Sequence, residues 1–262
     1  MRDNETKKSF DEAISDGIIE GRNAVIEALR TETTIDKIYI AKGETDKTLG
    51  HIASKARDMG IVVVEADRRK LDNMSRTHAH QGVIALAAVR EYVSVQSILD
   101  AAAEKGEAPL LVVCDEISDP HNLGAVIRTA ECAGAHGVII PKNRAVGLTA
   151  TVARTSAGAL NYIPVAKVTN LSKTIEELKN NGLWFVCADM DGELMYDLNL
   201  KGPIGVVIGS EGEGVSRLVK EKCDFIASVP MKGKIDSLNA SVAAGVLMYE
   251  VARQRAGLKA KG

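Results

Sequence analysis

The sequence predicts an α/β protein in two parts: a small N-terminal domain, then a larger one built on a mostly parallel sheet. Three observations carry that expectation. From Leu110 onward, short apolar runs alternate with amphipathic stretches of helical period, the pattern of a parallel sheet covered by helices on both faces. Ahead of it, over residues 16–90, lies a shorter α/β pattern, set apart by a helix-like connector that runs into the polar turn Gly106-Glu-Ala-Pro109. The length of 262 residues, 45% of them apolar, suffices for one large core or two modest ones.

Element by element, residues 1–15 are polar, charged and without period, which reads as a flexible tail. In the first domain GRNAVIEALR is a helix with Ala24, Val25, Ala28 and Leu29 on one face, and KIYIAK is a strand. HIASKARDMG is a helix ending at Gly60, and IVVVEA and GVIALAAV are strands. Residues 91–109 form the linker, helical over SVQSILDAAAEKG. In the second domain, 110–262, the strands are LLVVCDEI, GVII, VAKV, LWFVCADM, IGVVIGS and FIASVPM. The helices are NLGAVIRTAECAGA, TATVARTSAGAL, NLSKTIEELKNNG and GVSRLVKEKC, with LNASVAAGVLMYEVARQRAG closing the chain. Ligands of open parallel sheets sit beyond the carboxyl ends of the strands, so a site is expected in the loops after Ile117, Gly209 and Pro230.

Composition narrows the function classes. A net charge of -2 lacks the overall basic signature of many nucleic-acid binders, so RNA would have to be held by local patches. Arg68, Arg69, Lys70 and Arg76 form one such patch, and Arg253, Arg255, Lys259 and Lys261 a basic end; solvated surface is the plainer reading of each. Aromatic residues, at 3%, do not supply base-stacking platforms. The four cysteines, Cys114, Cys132, Cys187 and Cys223, have no ligand partner at metal spacing and read as reduced core residues. His78 and His80 are spaced to face one side together, as loop residues without a function. No apolar stretch approaches the roughly 18 residues of a membrane span, and the start has no apolar signal region, so a soluble cytoplasmic protein is expected.

The first of the three loops gives Asp115, Glu116, Asp119, Pro120, His121, Asn122 and Gly124, with Arg128 near the start of the following helix. Pro120 and Asn122 suit the beginning of a helix, and Gly124 lets another backbone come close. Alone, the stretch reads as a capped helix with a surface arginine. The second loop, Gly209-Ser-Glu-Gly-Glu-Gly214, stands where phosphate loops stand, yet its glycines match neither GxGxxG nor GxxxxGK[ST]. Glu211 and Glu213 also bring negative charge to the place where a phosphate would bind. A helix capped by its own carboxylates accounts for Glu213 but not for three glycines. The third loop, 229–239, runs into an apolar helix for which Ser237 or Asn239 is the N-cap. Two short polar side chains flanking Leu238 exceed what a cap needs, and a pocket of backbone and aliphatic groups suits adenosine.

Together Asn122 to Arg128 as N-x-G-x-x-x-R, IGSEGEG at 208–214 and IDSLNASVAAG at 235–245 resemble the three motifs of the SpoU, or TrmH-like, RNA 2′-O-ribose methyltransferases. They come in the family's order and after the expected strands. GIIEGRNAVIEALR and HQGVIALAA are similar to the family branch whose N-terminal substrate-binding domain has the ribosomal L30e fold. The resemblance implies a SPOUT-type catalytic domain with a trefoil knot, a homodimer, and S-adenosylmethionine held at Gly209, Val229 and Leu238. It also implies Arg128 as the catalytic arginine, with Asn122, Glu211, Ser237 and Asn239 shaping the site. Because a guanidinium is a poor base, a charged role for Arg128 beside phosphate and developing alkoxide is expected. The implied substrate is RNA, and the pattern is nearest to enzymes acting on a guanosine of 23S rRNA. A tRNA methyltransferase of the same family, a non-catalytic RNA-binding protein and a nucleotide-dependent enzyme are the alternatives, the last lacking its phosphate loop.

Overall fold

The computed structural model describes residues 17–31, 33–43 and 46–258. The tail expected at 1–15 lies outside them, as do Lys259 and Lys261. The described residues divide into two compact units, one running to Glu91 and including Gly147–Ala150, the other comprising Tyr92–Val146 and the chain from Thr151.

The first unit is a four-stranded mixed sheet in the order β1-β4-β2-β3, with β1 Ile18–Glu20, β2 Ile35–Ala41, β3 Val62–Ala66 and β4 Val83–Ala87. β4 is antiparallel to both of its neighbours, and β3 is parallel to β2. Helix α1, Arg22–Arg30, starts after Gly21 at φ 91° and turns Val25, Ala28 and Leu29 inward. Helix α2, Lys47–Asp58, begins four residues before the expected His51, because the Asp46 carboxylate accepts from the N–H groups of Thr48 and Leu49 and so tolerates Gly50 in the first turn. Helix α3, Arg68–Met74, takes up the basic run that sequence analysis left as surface; it buries only Leu71, too little to announce a helical period.

The second unit opens with α4, Val95–Glu104, in the stretch expected as linker; its Ile98 and Ala102 are buried in this unit. Six strands follow in an all-parallel sheet of order β10-β8-β9-β5-β6-β7. They are β5 Leu110–Cys114, β6 Gly137–Pro141, β7 Val165–Val168, β8 Trp184–Leu194, β9 Ile204–Ile208 and β10 Phe225–Ser228. β5, β6 and β9 are buried along their whole length, as expected of parallel strands covered on both faces. Between them run α5 Pro120–Cys132, α6 Ala150–Thr155, α7 Leu171–Asn180 and α8 Arg217–Lys220, and α9 Ala240–Arg255 closes the unit. α8 is a single turn, much shorter than the run 214–223 suggested.

β5 has β6 on one side and β9 on the other, so the strand order reverses there and the loops after β5 and β9 emerge side by side. That is the crevice in which ligands of open α/β sheets bind. α5 packs on α9 beneath it, and on another side Gly124 lets α6 come close: a Cβ at Gly124 would lie 2.6 Å from Thr155 Cβ and 2.9 Å from the Val152 carbonyl.

Several surface expectations change. Arg255 is not a solubility group, because its guanidinium donates to the carbonyls of Ala108, Pro109 and Gly202 and ties the end of α9 to the start of β5. His78 and His80 do not face one way: His78 is exposed, whereas His80 is buried. All four thiols are free, but Cys132 is exposed on α5 instead of in the core. Among the described residues no helix is long and apolar enough to cross a membrane.

Candidate active site

The second loop is built by its glycines. Gly209 has no room for a side chain, since a Cβ would fall 1.9 Å from the carbonyl carbon of Gly214 and 2.1 Å from the Val215 nitrogen. Ser210 and Gly214 exchange two backbone hydrogen bonds of 3.1 and 3.0 Å, and Gly212 and Gly214 take φ of 87° and 69°, closing the turn between them. Close approach and two left-handed turns are thus what three glycines serve. Glu213 caps nothing. The residue before α8 is Ser216, and its N–H donates at 2.8 Å to Asp115, a buried carboxylate of the first loop.

The first loop starts α5 with Asp119, which accepts from the His121 N–H at 3.0 Å, and Pro120 fits the first turn because no partner awaits its nitrogen. This places Asn122 buried and facing the second loop, where its Nδ2 donates to Glu211 Oε1 at 3.0 Å. The third loop contributes Asn239, which does two things at once. Its Oδ1 accepts from the N–H groups of Ser241 and Val242 and so caps α9. Its Nδ2 donates to Asn122 Oδ1 at 2.9 Å and to Glu211 Oε1. Asn122, Glu211 and Asn239 therefore close a triangle that fastens all three loops together, although 117 residues separate the first from the last.

Beside this triangle opens a cavity of about 960 Å³, large enough for a nucleoside-sized ligand. Its walls are the second loop from Ile208 to Gly214, the third loop's Val229, Ser237, Leu238 and Asn239, and the end of β8 from Ala188 to Asp191. Five acidic residues line it, Asp189, Asp191, Glu211, Glu213 and Asp236, and no lysine, arginine or histidine. Burial works to raise the Asp189 carboxyl, but the hydrogen bond from Lys220 at 2.7 Å, the Asp191 N–H and the lysine charge prevail and hold it below the ordinary range. Such a cavity repels phosphate and favours a ligand that carries positive charge.

Of the residues expected at the site, the cavity gathers Gly209, Glu211, Val229, Ser237, Leu238 and Asn239, and Asn122 joins through the triangle. Arg128 stands apart. It is exposed on α5, outside the lining, with no hydrogen bond or ion pair among the described residues. The end of β8 was not foreseen from the sequence, and Asp115 was placed in the first loop without its bond to Ser216. The polar run Ala188-Asp-Met-Asp-Gly192 after an apolar strand is the signal that could have found the former.

A parallel sheet with a ligand-sized, acidic, loop-lined cavity at the carboxyl ends of its strands defines an α/β enzyme that binds a small molecule. More particularly, the chain belongs to the SpoU rRNA methylase family, whose sequence profile matches residues 109–249. A second profile, for the substrate-binding domain of RNA 2′-O ribose methyltransferases, matches residues 18–93. A Bacillus subtilis protein, YacO, named for the TrmH family of tRNA/rRNA methyltransferases, is 49% identical over 236 residues, 90% of this chain and 94% of that protein. Among solved structures, an AdoMet-bound rRNA methyltransferase from Sinorhizobium meliloti is similar with a TM-score of 0.57 at 25% identity, over 97% of this chain and 92% of that one. The SpoU methyltransferase AviRb from Streptomyces viridochromogenes, in complex with AdoMet, has a TM-score of 0.58 at 23% identity, over 92% and 90%, which speaks to the fold.

Proposed function

We propose that this protein transfers the methyl group of S-adenosylmethionine to a ribose 2′-hydroxyl of RNA, and that its target is a guanosine of 23S rRNA. The observation that carries the reading is the Asn122–Glu211–Asn239 triangle at an acidic cavity free of basic side chains. S-adenosylmethionine supplies a sulfonium-bound methyl group, and its cationic sulfur suits these walls while a nucleotide triphosphate does not. Gly209, Val229 and Leu238, all in the cavity wall, would hold it chiefly through backbone, in loops that the family resemblance implies are knotted as a trefoil.

Displacement at the methyl carbon needs the 2′-oxygen aligned opposite the sulfur, so positioning supplies much of the rate. Glu211, already accepting from two amides, is fixed in orientation, and Ser237 is the exposed hydroxyl beside it at the cavity wall. A hydroxyl becomes a competent nucleophile only as its proton leaves, here to solvent water, and a guanidinium stabilises the oxyanion that develops as the O–C bond forms and the C–S bond breaks. Arg128 fills that role from the other protomer of a homodimer, since it does not line the cavity of its own chain. Val242 and Tyr249, half exposed on α9, support such an interface beside α5. Residues 16–90 act as the L30e-like domain that holds the RNA, with 91–109 leading into the catalytic domain 110–262, and the protein works in the cytoplasm.

The test is methyl transfer from labelled donor to deproteinised ribosomal RNA and to bulk tRNA, both from a strain lacking the gene. Label recovered as 2′-O-methylguanosine in 23S rRNA is expected. Label only in tRNA would overturn the substrate, and label in neither would overturn the activity.

A further inference from the structure

One wall of the cavity is held at its base by two side-chain pairs. β8 and β10 run in register up to Cys187 opposite Ile226, and the next pair is Glu193 opposite Ala227. Between those points β8 bows out over residues 188–192, and Ala188, Asp189, Met190 and Asp191 of this excursion line the cavity. Both anchors come from the end of α8 and the turn after it. Lys220 donates to Asp189 at 2.7 Å, and the Cys223 thiol is hydrogen-bonded to the Cys187 thiol. The backbone supports both contacts. Cys187 and Asp189 lie two apart on a strand and share a face, while Lys220 and Cys223 end a turn closed by a 3.1 Å bond from the Cys223 N–H to the Lys220 carbonyl.

Both sulfurs belong to the apolar cluster that contains Val207, Val215 and Val219, with Cys187 buried and Cys223 partly exposed. Cys223 Sγ also lies 3.4 Å from the Val219 carbonyl. The hydrogen bond with Cys223 and the Lys220 charge hold the Cys187 thiol below the ordinary cysteine range, against burial and the Asp189 charge. Cys114 is the contrast: burial and the Asp115 charge push it up to about 12, which leaves it inert.

We infer that Cys187 and Cys223 are an oxidation site for hydrogen peroxide, and that the disulfide they form distorts the cavity wall and lowers donor affinity. The consequence for the donor rests on the function proposed above; the oxidation itself does not. Peroxide is small and uncharged and reaches the pair past the partly exposed Cys223. The Cys187 thiolate attacks one peroxide oxygen, the O–O bond breaks, and the departing hydroxide takes up the thiol proton as water, leaving a sulfenic acid. The Cys223 thiol attacks that sulfur, the S–S bond forms, the S–O bond breaks and a second water leaves. Two thiols are thereby oxidised and one peroxide reduced. The bond draws the sulfurs from hydrogen-bond contact to about 2.05 Å. The far end of the excursion has no slack to absorb this, because a Cβ at Gly192 would fall 2.4 Å from the Ile226 carbonyl oxygen, so the movement passes into residues 188–191.

The experiment treats the full chain with hydrogen peroxide, removes the excess, and follows it by peptide mass mapping without reductant and by calorimetric titration of S-adenosylmethionine. A cross-linked peptide pair holding Cys187 and Cys223 is expected, with donor affinity about tenfold weaker. Dithiothreitol should restore the affinity, which it would not do after oxidation of Met190 or Met231 in the cavity wall. Cys223→Ser should form no such cross-link and keep its own donor affinity through the treatment, whereas Cys132→Ser should respond as wild type does. Absence of the Cys187–Cys223 cross-link overturns the inference, as does a cross-linked protein with unchanged donor affinity. A dithiothreitol-reversible loss of affinity in Cys223→Ser overturns it as well. A protein that forms the cross-link but binds no donor even when reduced would overturn the function proposed above and leave the oxidation site standing.

Discussion

The two units solve the same problem, holding an irregular loop still, with carboxylates turned in different directions. In the first, carboxylates sit beneath the turn at 75–82 and are used up as acceptors for its N–H groups. In the second, amide side chains and glycine backbone fasten the loops, and the carboxylates are left facing the cavity. An acidic cavity suits a sulfonium. The near-zero net charge of the chain thus hides a local field of one sign at the cavity, and counting charges over the whole sequence could not reveal it.

The largest effect is expected where backbone meets backbone. Gly209→Ala would drive a Cβ into the Gly214 carbonyl and break the Ser210–Gly214 bridge, with overpacking of about 3 kcal/mol or more, enough to weaken donor binding on the order of 100-fold. Gly43→Ala in the first unit is the matched control. At φ 81° but with open space around it, it should cost about 1 to 2 kcal/mol of stability and leave donor binding intact. Calorimetric titration and thermal melting of the two variants check the pair, and equal donor affinity in both would mean the close approach at Gly209 does not shape the cavity.

Next comes Arg128. Arg128→Ala should lower single-turnover transfer by about 100-fold or more, as loss of an oxyanion partner does, with donor affinity unchanged. Arg128→Lys keeps the charge but loses the planar fork and should restore only a small part. Loss of donor binding in either variant would move Arg128 into the donor cavity, and wild-type turnover would remove it from the reaction.

How far the sequence spoke differs between the units for a physical reason. β5, β6 and β9 of the second unit are buried along their whole length and read as continuous apolar runs, so GVII at 137–140 is legible to within one residue of β6. β1 and α3 of the first unit bury too few side chains to generate a period, and α3 hid inside what read as a basic surface run. At the site, the motif glycines and amides were legible, but their geometry was not: the 117-residue link from Asn122 to Asn239 and the Asp115 bond to Ser216 exist only in the folded sheet. Glu213 misled because a carboxylate before a helix resembles a cap, whereas the cap position belongs to Ser216, whose N–H donates to Asp115.

A smaller effect separates the two roles of Asn239. Asn239→Ser keeps an N-cap for α9 and loses the amide donor to Asn122 and Glu211. Its melting temperature should stay near wild type while turnover falls roughly 10-fold, the usual cost of a lost hydrogen bond to a charged group. Asn239→Ala should show a similar loss of turnover and in addition about 1 kcal/mol less stability. If the two variants melt together, the cap contributes nothing measurable and Asn239 belongs to the site alone.

The smallest expected effect is electrostatic and lies in the first unit. Burial works to raise the Glu20 carboxyl, but its bonds from Ser75, Thr77 and Arg76 together hold it below the ordinary glutamate value. A carboxyl depressed in the folded state contributes stability that is fully present above its unfolded value, near 4.3, and is lost as pH falls through the folded value beneath it. Glu20→Gln removes the charge and with it this dependence. The difference in stability between wild type and Glu20→Gln, measured by denaturant unfolding, should be constant from pH 7 to about 5 and shrink below that. At neutral pH the same variant should loosen the turn at 75–82, seen as faster amide exchange at Arg76 and Thr77, with donor binding in the second unit unchanged. A gap that widens on acidification would show that Glu20 is held protonated, and the turn would then be braced by neutral hydrogen bonds instead of by a charge.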